Sequence, residues 1–349
     1  MSDANTAGAG FNGLVDLAAA LIGGRALATS DDFFAGMDNL LLPGRAVFIP
    51  GKFTERGKWM DGWESRRKRR LPGHDYCIIE LGQQGNVLGV DIDTHHFLGN
   101  HPPFASLDGV LAPRGTAPEA LLELGWQELV PQAPLRPGSQ NLLVSANTSP
   151  VSHVRLNIFP DGGVARLRVY GRVVPSWGER RVDDATAVQL AELAPDAVDL
   201  AALENGASAL ACSDAFFAPM HHLLLPGRAE NQGGGWETRR KRMPGHDWII
   251  VALGARGRPR LIEVDTHHFK GNFPERCSLD TIDAPAGARI TDLIESQAWV
   301  RCLESEPLAA DQRHFFRKLA SEAPATHVRL NIYPDGGVSR LRLWGTRDA

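Results

Sequence analysis

Residues 153–171 read HVRLNIFPDGGVARLRVYG, and they recur at residues 327–345 as HVRLNIYPDGGVSRLRLWG. In the first copy the apolar side chains of Val154, Leu156 and Ile158 alternate with polar ones, a pattern typical of a half-buried strand. A PDGG sequence with turn chemistry follows, and the alternation then resumes. The segment therefore predicts a β-hairpin.

These two segments belong to an internal duplication that covers most of the chain. Residues 30–46, SDDFFAGMDNLLLPGRA, match residues 213–229, SDAFFAPMHHLLLPGRA, at 13 of 17 positions, and the closing segments match at 15 of 19. Between them WESRRKR, PGHD and DTHHFLGN recur in the same order as WETRRKR, PGHD and DTHHFKGN. Each copy has about 140 residues, which is long enough for an independent domain.

The duplication sets the expected domain boundaries. We expect a leader at residues 1–29, repeat 1 at 30–174, a linker at 175–212 and repeat 2 at 213–349. The linker is rich in Ala, Leu, Asp and Glu, which predicts a connecting loop with a short helix. Repeat 1 carries about ten extra residues within 47–61, and this insertion is the main asymmetry between the copies.

The remaining pattern favours strands over helices. YCIIELG at residues 76–82 and WIIVALG at 248–254 predict a buried strand, and NVLGVDID predicts another after the first. Helical patterns are local and follow Pro118 and Arg289. The predicted fold class is all-β, with two tandem jelly-roll β-sandwich domains and a few short helices.

Composition narrows the functional classes. The 349 residues are 43% hydrophobic and carry a formal net charge of −4, so nucleic acid is an unfavoured partner and a small molecule is favoured. Four cysteines without a CxxC pair predict reduced thiols in a cytoplasmic protein. The apolar stretch at residues 14–22 is too short to span a bilayer, which predicts no membrane partner.

The run RRKR is the densest positive charge in the chain. An arginine can bind a carboxylate through two parallel hydrogen bonds, which makes Arg66 or Arg67, and Arg239 or Arg240, candidate substrate ligands. A solvated basic face and a basic patch for nucleic acid are the other interpretations of such a run, and the acidic net charge disfavours the second.

The block GHD precedes the predicted buried strand in both copies. It places His74 beside Asp75 and His246 beside Asp247. An adjacent histidine and aspartate can act as a general acid and base, but they can equally form a turn that caps the strand.

The block DTHHF with its following GN is the strongest polar cluster. Histidine titrates near neutral pH and is the usual proton shuttle. Neighbouring histidines of an extended segment would point to opposite faces, and no metal-ligand spacing is met, so a metal stays possible without a supporting motif. The candidates are Asp93, His95, His96 and Asn100, with Asp265, His267, His268 and Asn272 in the second copy.

The predicted hairpin carries a face of polar residues. Before the turn, we interpret Arg155 and Asn157, with Arg329 and Asn331, as ligand contacts. The arginines after the turn are interpreted as a water-facing surface, namely Arg166, Arg168, Arg340 and Arg342. The chain has no GxSxG, no GxGxxG after a strand, no Walker loop and no HExxH, which disfavours covalent serine catalysis and nucleotide cofactors.

Taken in this order and duplicated, the blocks GKWMDGWESRRKR, PGHDYCIIELG, DTHHFLGN and RLNIFPDGG resemble the allantoicase family. The resemblance implies hydrolysis of allantoate to ureidoglycolate and urea in purine degradation. It also implies two jelly rolls similar to galactose-binding modules in a homo-oligomer. A non-catalytic jelly roll that binds a sugar-like molecule is the alternative.

The resemblance gives the candidate residues their roles. The arginines of the RRKR run would hold the substrate carboxylate, and Glu64, Asp93 and Asn100, with Glu237, Asp265 and Asn272, would hold the ureido groups. His74 or His96, paired with a carboxylate, would act as general acid and base, as would His246 or His268. No cofactor is expected.

Overall fold

The computed structural model of the chain describes Phe11, residues 13–175, Trp177, residues 183–193 and residues 195–348. Parts of the predicted leader (residues 1–10 and 12) and of the predicted linker (residues 176, 178–182 and 194) lie outside the described residues. The chain divides into two compact units, Met1–Val174 and Pro175–Ala349. No described helix is long and apolar enough to cross a membrane.

Unit 1 is built almost entirely of strands. Its elements are β1 (Val15–Asp16), β2 (Arg25–Thr29), β3 (Phe53–Thr54), β4 (Gly57–Lys58), β5 (Trp63–Glu64), β6 (Asp75–Asp93), β7 (Phe104–Val110), α1 (Pro118–Leu122), β8 (Gln127–Pro134), β9 (Leu142–Val144), β10 (Pro150–Phe159), β11 (Gly163–Val164) and β12 (Arg166–Val173).

In its described residues unit 2 adds a helix at its start, lacks counterparts of β3 and β4, and otherwise repeats this order. Its elements are α2 (Asp184–Leu190), β13 (Val198–Asp199), β14 (Ser208–Cys212), β15 (Trp236–Glu237), β16 (Asp247–Asp265), β17 (Arg276–Ile282), α3 (Ile290–Glu295), β18 (Val300–Pro307), β19 (Arg313–Phe316), β20 (Ala325–Tyr333), β21 (Gly337–Val338) and β22 (Arg340–Arg347).

The long strand β6 belongs to both layers of unit 1. Its first part pairs with β10 and β2, and its last part pairs with β12 and β9. The larger sheet is therefore β8-β7-β10-β6-β2 and the smaller one β1-β12-β6-β9, all antiparallel. Leu156 and Ile158 of the larger sheet and Leu167 and Val169 of the smaller one share a single buried core. This arrangement, repeated around β16 in unit 2, confirms the all-β sandwich class.

The continuity of β6 differs from the two separate strands that the sequence predicted. Glycines allow the crossing between layers, because a Cβ at Gly82 would lie 2.6 Å from the carbonyl oxygen of Ile22 and one at Gly85 would lie 2.4 Å from that of Arg172. Such positions accept no side chain. A Gly pair in the middle of an apolar run is thus the sequence signal of the layer change.

The predicted hairpin of residues 153–171 is wrong in its pairing. Its two strands, β10 and β12, do not pair with each other, and both pair with β6. Ile158 before the PDGG turn lies opposite Asp75, and Arg166 after the turn lies opposite Asp93. The turn therefore joins the two layers, because alternation reports a half-buried strand but does not identify its partner.

Each unit begins earlier than the expected boundaries at Ser30 and Ser213. The strands β1 and β2 precede Ser30, and β13 and β14 precede Ser213, and all four pair with strands of their own unit. In the linker the structure contains the short helix α2, whose N-cap Asp183 accepts a hydrogen bond from the Thr186 amide.

Of the arginines after the turn, Arg166, Arg340 and Arg342 are buried and Arg168 is half-buried, so the predicted water-facing surface is wrong. Arg166 donates to the carbonyl oxygens of Asn39 and Asp61, and Arg168 donates to those of Leu42 and Gly44. In unit 2, Arg340 and Arg342 bind the carbonyl oxygens of His222, Leu224, Leu225, Gly227 and Gly234 in the same way. A buried arginine is stable where loop carbonyls satisfy its donors, and here it anchors the loops.

The recurring sequence blocks lie at one end of each sandwich. Both ends of β6 pair with residues that flank the PDGG turn, so the loops before Asp75 and after Asp93 meet at the same end. Residues 30–46 follow β2 and approach this end through the anchors of Arg166 and Arg168. We call this region the loop end.

Candidate active site

A carboxylate and an amide form the centre of the loop end in repeat 1. Glu64 lies on β5, and the Asn100 side chain donates a 2.7 Å hydrogen bond to its Oε1 atom. The carbonyl oxygen of Asn100 in turn accepts a bond from the Gly163 amide, which fixes the loop against the turn. Burial raises the pKa of Glu64, although the Asn100 hydrogen bond and the Lys58 charge oppose this rise.

The DTHHF segment is a turn and not an extended strand. His95 donates its backbone amide to Asp93 Oδ1, and His96 has a positive φ of 69°. The two imidazole rings therefore lie together, with their centroids 4.1 Å apart, instead of pointing to opposite faces as an extended segment would require. The Nε2 atom of His96 lies 3.2 Å from the carbonyl oxygen of Ala46.

The insertion connects this histidine turn to the carboxylate. The Phe48 ring lies 5.7 Å from the His96 ring, and Lys58 Nζ lies 4.4 Å from the centre of the Phe48 ring. Lys58 also acts electrostatically on Glu64. Glu64, Asn100, Lys58, Phe48 and His96 thus form one group, which we call the loop-end cluster of repeat 1.

The structure distinguishes Arg66 from Arg67 as a candidate ligand, which the sequence alone could not do. Arg66 is bound through its Nε and its amide to Asp31, and its guanidinium stacks on Phe33. Arg67 is exposed and has no hydrogen bond or ion pair within the described part of the chain. Arg239 and Arg240 repeat this difference, because Asp214 binds Arg239 alone. Arg67 and Arg240 are therefore free for an anionic ligand.

The structure does not pair the histidine and aspartate of the GHD block. Asp75 is buried and accepts hydrogen bonds from Ser30 and Lys68, while His74 is exposed and its ring packs against Phe159. Asp247 is bound in the same manner by Ser213 and Lys241. The aspartates therefore anchor the basic loop at the start of the strand.

The strand residues Arg155 and Asn157 form a separate group. They alternate with core residues, and both donate hydrogen bonds to Asp108 Oδ2 on β7, while the Arg155 guanidinium lies over Trp126. Arg329 and Asn331 bind Asp280 in the same way, and His246 Nε2 contacts Asn331 Oδ1 at 3.2 Å. Because Asp108 occupies them, they are less available to a ligand than Arg67.

Repeat 2 has a different loop-end cluster. Glu237 accepts a hydrogen bond from Asn272 at Oε1, as Glu64 does from Asn100, but Gln232 also donates to its Oε2 atom at 2.9 Å. His268 has a φ of 70° and contacts the carbonyl oxygen of Ala229 at 3.0 Å. Its neighbour His267 contacts Asp311, which also accepts the His268 amide.

Sequence reasoning missed Lys58, Gln232 and Asp311. Each of them occurs in one copy only, so repetition gave no signal for them. Lys68 and Lys241 were also missed, although both stand within the recurring RRKR run. Their burial against an aspartate could not be told from the spacing of charges alone.

The described residues offer little support for a metal site or a nucleophilic thiol. No group of three or more His, Cys, Asp or Glu side chains there is arranged to hold a metal ion. All four cysteines are free, and burial raises the pKa of each thiol, that of Cys277 to about 12. A thiolate nucleophile is therefore disfavoured near neutral pH.

A model of a known protein family matches both units. The family model described as allantoicase repeat matches residues 15–174 and 198–348, starting at β1 and β13. The chain belongs to the allantoicase family. Among allantoicase relatives, a probable allantoicase 2 of Burkholderia pseudomallei (strain K96243) is 47% identical over 332 residues, which is 95% of this chain and 94% of that protein.

A second allantoicase relative and a solved structure agree with this. The probable allantoicase of Pseudomonas aeruginosa (strain UCBPP-PA14) is 46% identical over 344 residues and 98% of each chain. The crystal structure of allantoicase from Saccharomyces cerevisiae superposes with a TM-score of 0.78 at 32% identity, covering 96% of this chain and 93% of that one. The allantoicase fold thus extends over both repeats.

Proposed function

We propose that this chain hydrolyses allantoate to ureidoglycolate and urea, a step of purine degradation, and that the loop-end cluster of repeat 1 binds the substrate. Family membership supports the reaction, since the relatives that match nearly the whole chain are named allantoicases. The observation that carries the site is the Glu64 carboxylate held by the Asn100 amide in the same cluster as the His96 turn. A sugar-binding module is not favoured, because the family is a family of hydrolases.

The free arginines suit the charge of the substrate. Allantoate has one carboxylate and two neutral ureido groups on the same carbon atom. Arg67 and Arg240 offer the planar donor pair that a carboxylate accepts. Glu64 and Asn100 offer acceptors for ureido N–H groups, and a carboxylate in a partly buried position binds such donors strongly.

The reaction needs a proton on the departing nitrogen and a water molecule on the carbon left behind. When the C–N bond breaks, its electron pair stays with the nitrogen of urea, which takes up a proton. The lone pair of the remaining ureido nitrogen then forms a C=N bond, and water adds to that carbon and releases a proton. A general acid and a general base at the site therefore carry the whole step.

The geometry supports His96, whose counterpart in repeat 2 is His268, as the group that moves such a proton. The contact with a backbone carbonyl assigns the proton of the neutral ring to Nε2, which leaves Nδ1 able to accept one. His74 and His246 lie outside the loop-end cluster. Asp75 and Asp247 accept hydrogen bonds from Lys68 and Lys241, so these four residues are weaker candidates for the acid and the base.

The test is urea release from allantoate by the pure full chain, with the double variant His96→Asn and His268→Asn beside it. Asparagine tolerates a positive φ and preserves the turn. We expect the double variant to lose at least about 100-fold in kcat, the lower range for a positioned acid or base. Near wild-type turnover in a folded double variant contradicts the role of these histidines, and no urea from the wild type contradicts the function.

We also propose that the reaction needs no cofactor and that the enzyme is a cytoplasmic homo-oligomer without nucleic-acid or membrane partners. The net charge of −4 supports the absence of a polyanion partner. The urea assay repeated after chelator treatment tests the cofactor proposal, because a metal requirement predicts activity that is lost with chelator and restored by the ion. Light scattering of the pure protein tests the oligomer.

A further inference from the structure

We infer that repeat 1 performs the turnover, with Glu64 protonating the departing urea nitrogen, and that repeat 2 does not, because Gln232 closes the equivalent carboxylate of Glu237. This inference rests on the proposed function and deepens it. It concerns two positions that correspond in sequence, in strand pairing and in their bond to an asparagine.

In repeat 2 both oxygens of the carboxylate are occupied. Asn272 donates to Oε1 of Glu237, and Gln232 donates to Oε2. Glu237 is only 8% exposed. With an amide donor on each oxygen and little exposed surface, Glu237 offers a substrate nitrogen less access than a carboxylate with an open oxygen does.

In repeat 1 one oxygen of the carboxylate remains open. Asn100 donates to Oε1 of Glu64, and no group in the described part of the chain donates to Oε2. Glu64 is also more exposed than Glu237. Its burial is nevertheless sufficient to raise its pKa, which keeps more of the acid form near neutral pH. An open oxygen and a pKa raised by burial together favour a general acid at this position.

The asymmetry follows from the insertion. The stretch between Ala229 and Trp236 has six residues, and its turn Gln232–Gly234 presents the Gln232 amide to Glu237. His222 and Arg340 hold this turn by hydrogen bonds to the carbonyl oxygens of Gly233 and Gly234. These bonds fix the backbone of the turn, while the exposed Gln232 side chain is held by its own hydrogen bond to Glu237.

The corresponding stretch of repeat 1 runs from Val47 to Gly62 and folds differently. It forms the hairpin of β3 and β4, and the positive charge of Lys58 in this hairpin acts on Glu64 and lowers its pKa. Asp61 of the same stretch binds Arg166, so the anchor survives while the amide cap is gone. The ammonium of Lys58 adds positive charge near Glu64, which attracts an anionic substrate, and it makes no hydrogen bond to Glu64 in this structure.

The step balances at Glu64. The protonated carboxyl gives its proton to the nitrogen that departs with the C–N electron pair, and urea leaves. Water then adds to the C=N carbon of the remaining fragment and gives one proton to Nδ1 of His96, which returns it through solvent to the Glu64 carboxylate. The acid form is regenerated without any further reactant.

The test uses the matched variants Glu64→Gln and Glu237→Gln in the full chain. Both keep the side-chain shape and the oxygen that accepts from Asn100 or Asn272, and the Gln232 amide can rotate to accept from a glutamine at 237. We expect Glu64→Gln to lower kcat by at least about 100-fold and Glu237→Gln to change it by less than about 3-fold. Circular dichroism and unfolding midpoints verify that both variants are folded.

The pH profile separates an acid from a structural residue. If Glu64 acts as the acid, kcat/KM of the wild type falls as the pH rises through the raised pKa of Glu64, and this fall disappears in the residual activity of Glu64→Gln. Glu237→Gln should keep the wild-type profile. Unchanged profiles in both variants would overturn the assignment even if kcat were reduced.

The remaining outcomes distinguish this inference from the proposed function. If the wild type releases urea and both variants lose activity equally, or Glu237→Gln alone loses it, or neither does, the division between the repeats is wrong and the function stands. If the wild type releases no urea, the proposed function itself fails.

Discussion

The outer faces of the two smaller sheets carry corresponding carboxylates in very different surroundings. In repeat 1 these are Asp91 and Asp93, and the side chain that reaches Asp91 is the neutral Gln140, which donates to Oδ2 at 2.6 Å. In repeat 2 they are Glu263 and Asp265, and the residue at the position of Gln140 is Arg313, whose Nε lies 3.4 Å from Glu263 and 3.7 Å from Asp265.

The difference shows which interactions the duplication kept and which it changed. The buried arginines that anchor the loops are present in both repeats, with the same carbonyl-binding role. The charge balance on the sheet face differs, because repeat 2 adds Arg313 and links it to Asp183 at the start of α2. The two copies therefore share the arginine anchors of the scaffold and differ in the charges on the sheet face. Each of these two features can be tested by itself.

The largest expected effect comes from the shared anchors. Arg166→Met and Arg340→Met each remove a buried guanidinium that satisfies several carbonyl oxygens, and each should lower the free energy of unfolding by about 3 to 5 kcal/mol near neutral pH. Urea unfolding followed by circular dichroism measures both. Losses below about 1 kcal/mol would show that water replaces the guanidinium without penalty.

The pH dependence of these two losses should differ. Arg166 binds the Asp61 carboxylate, and although burial opposes it, the hydrogen bond from Arg166 lowers the Asp61 pKa in the folded protein. Such a group contributes stability above its unfolded pKa, and this stability is lost as the pH falls through the folded one. The cost of Arg166→Met should shrink on acidification. That of Arg340→Met should not, since Arg340 hydrogen-bonds to carbonyl oxygens alone among the described residues.

The next largest effect concerns Asp91 of repeat 1, the carboxylate that is bound by the neutral side chain of Gln140. Burial, and then the charge of Asp93, raise the pKa of Asp91 to about 6, and its buried Oδ1 atom has no hydrogen-bond partner among the described residues. A raised folded pKa gives stability that is complete below the unfolded pKa and is lost as the pH rises through about 6. Asp91→Asn should therefore stabilise the protein by about 1 to 3 kcal/mol above neutral pH and have little effect near pH 4.

Glu263→Gln is the matched control for Asp91→Asn. Burial also raises the pKa of Glu263, but the charges of Arg313 and Arg342 oppose this rise. Removing the charge of Glu263 leaves Arg313 with one carboxylate fewer, so the increase in the free energy of unfolding expected for Asp91→Asn should be absent here. Unfolding midpoints at two pH values measure both variants. Equal stabilisation by the two substitutions would contradict the comparison.

The sequence was sufficient to predict the fold class and the duplication, because alternating side chains and repeated blocks report burial and symmetry directly. It was not sufficient to predict strand partners. The two alternating segments around PDGG resemble a hairpin, yet each pairs with β6, and only the close approach of backbone at Gly82 and Gly85 explains why β6 crosses between layers.

The candidate site was predictable in composition and not in arrangement. Glu64 and Asn100 were predicted as neighbours of one substrate, and the structure joins them by a hydrogen bond. His74 and Asp75 are adjacent in sequence, yet they face different partners, because side chains at the start of a strand point to opposite sides. The buried arginines were mistaken for a wet face because alternation cannot distinguish water from loop carbonyls as the partner of a guanidinium.

The smallest expected effect concerns the histidine turn of repeat 2. Asp311 has a φ of 52° and binds both His267 and the His268 amide, and the residue at its position in repeat 1 is Gly138, with a φ of 58°. Asp311→Gly therefore gives repeat 2 the turn of repeat 1 without backbone strain. If repeat 2 does not turn over substrate, urea release should stay within about 2-fold of wild type, as for most exposed substitutions. A larger loss of kcat, with the unfolding midpoint unchanged, would mean that the histidine turn of repeat 2 participates in catalysis, because an exposed aspartate that only holds a loop acts on stability and not on the chemical step.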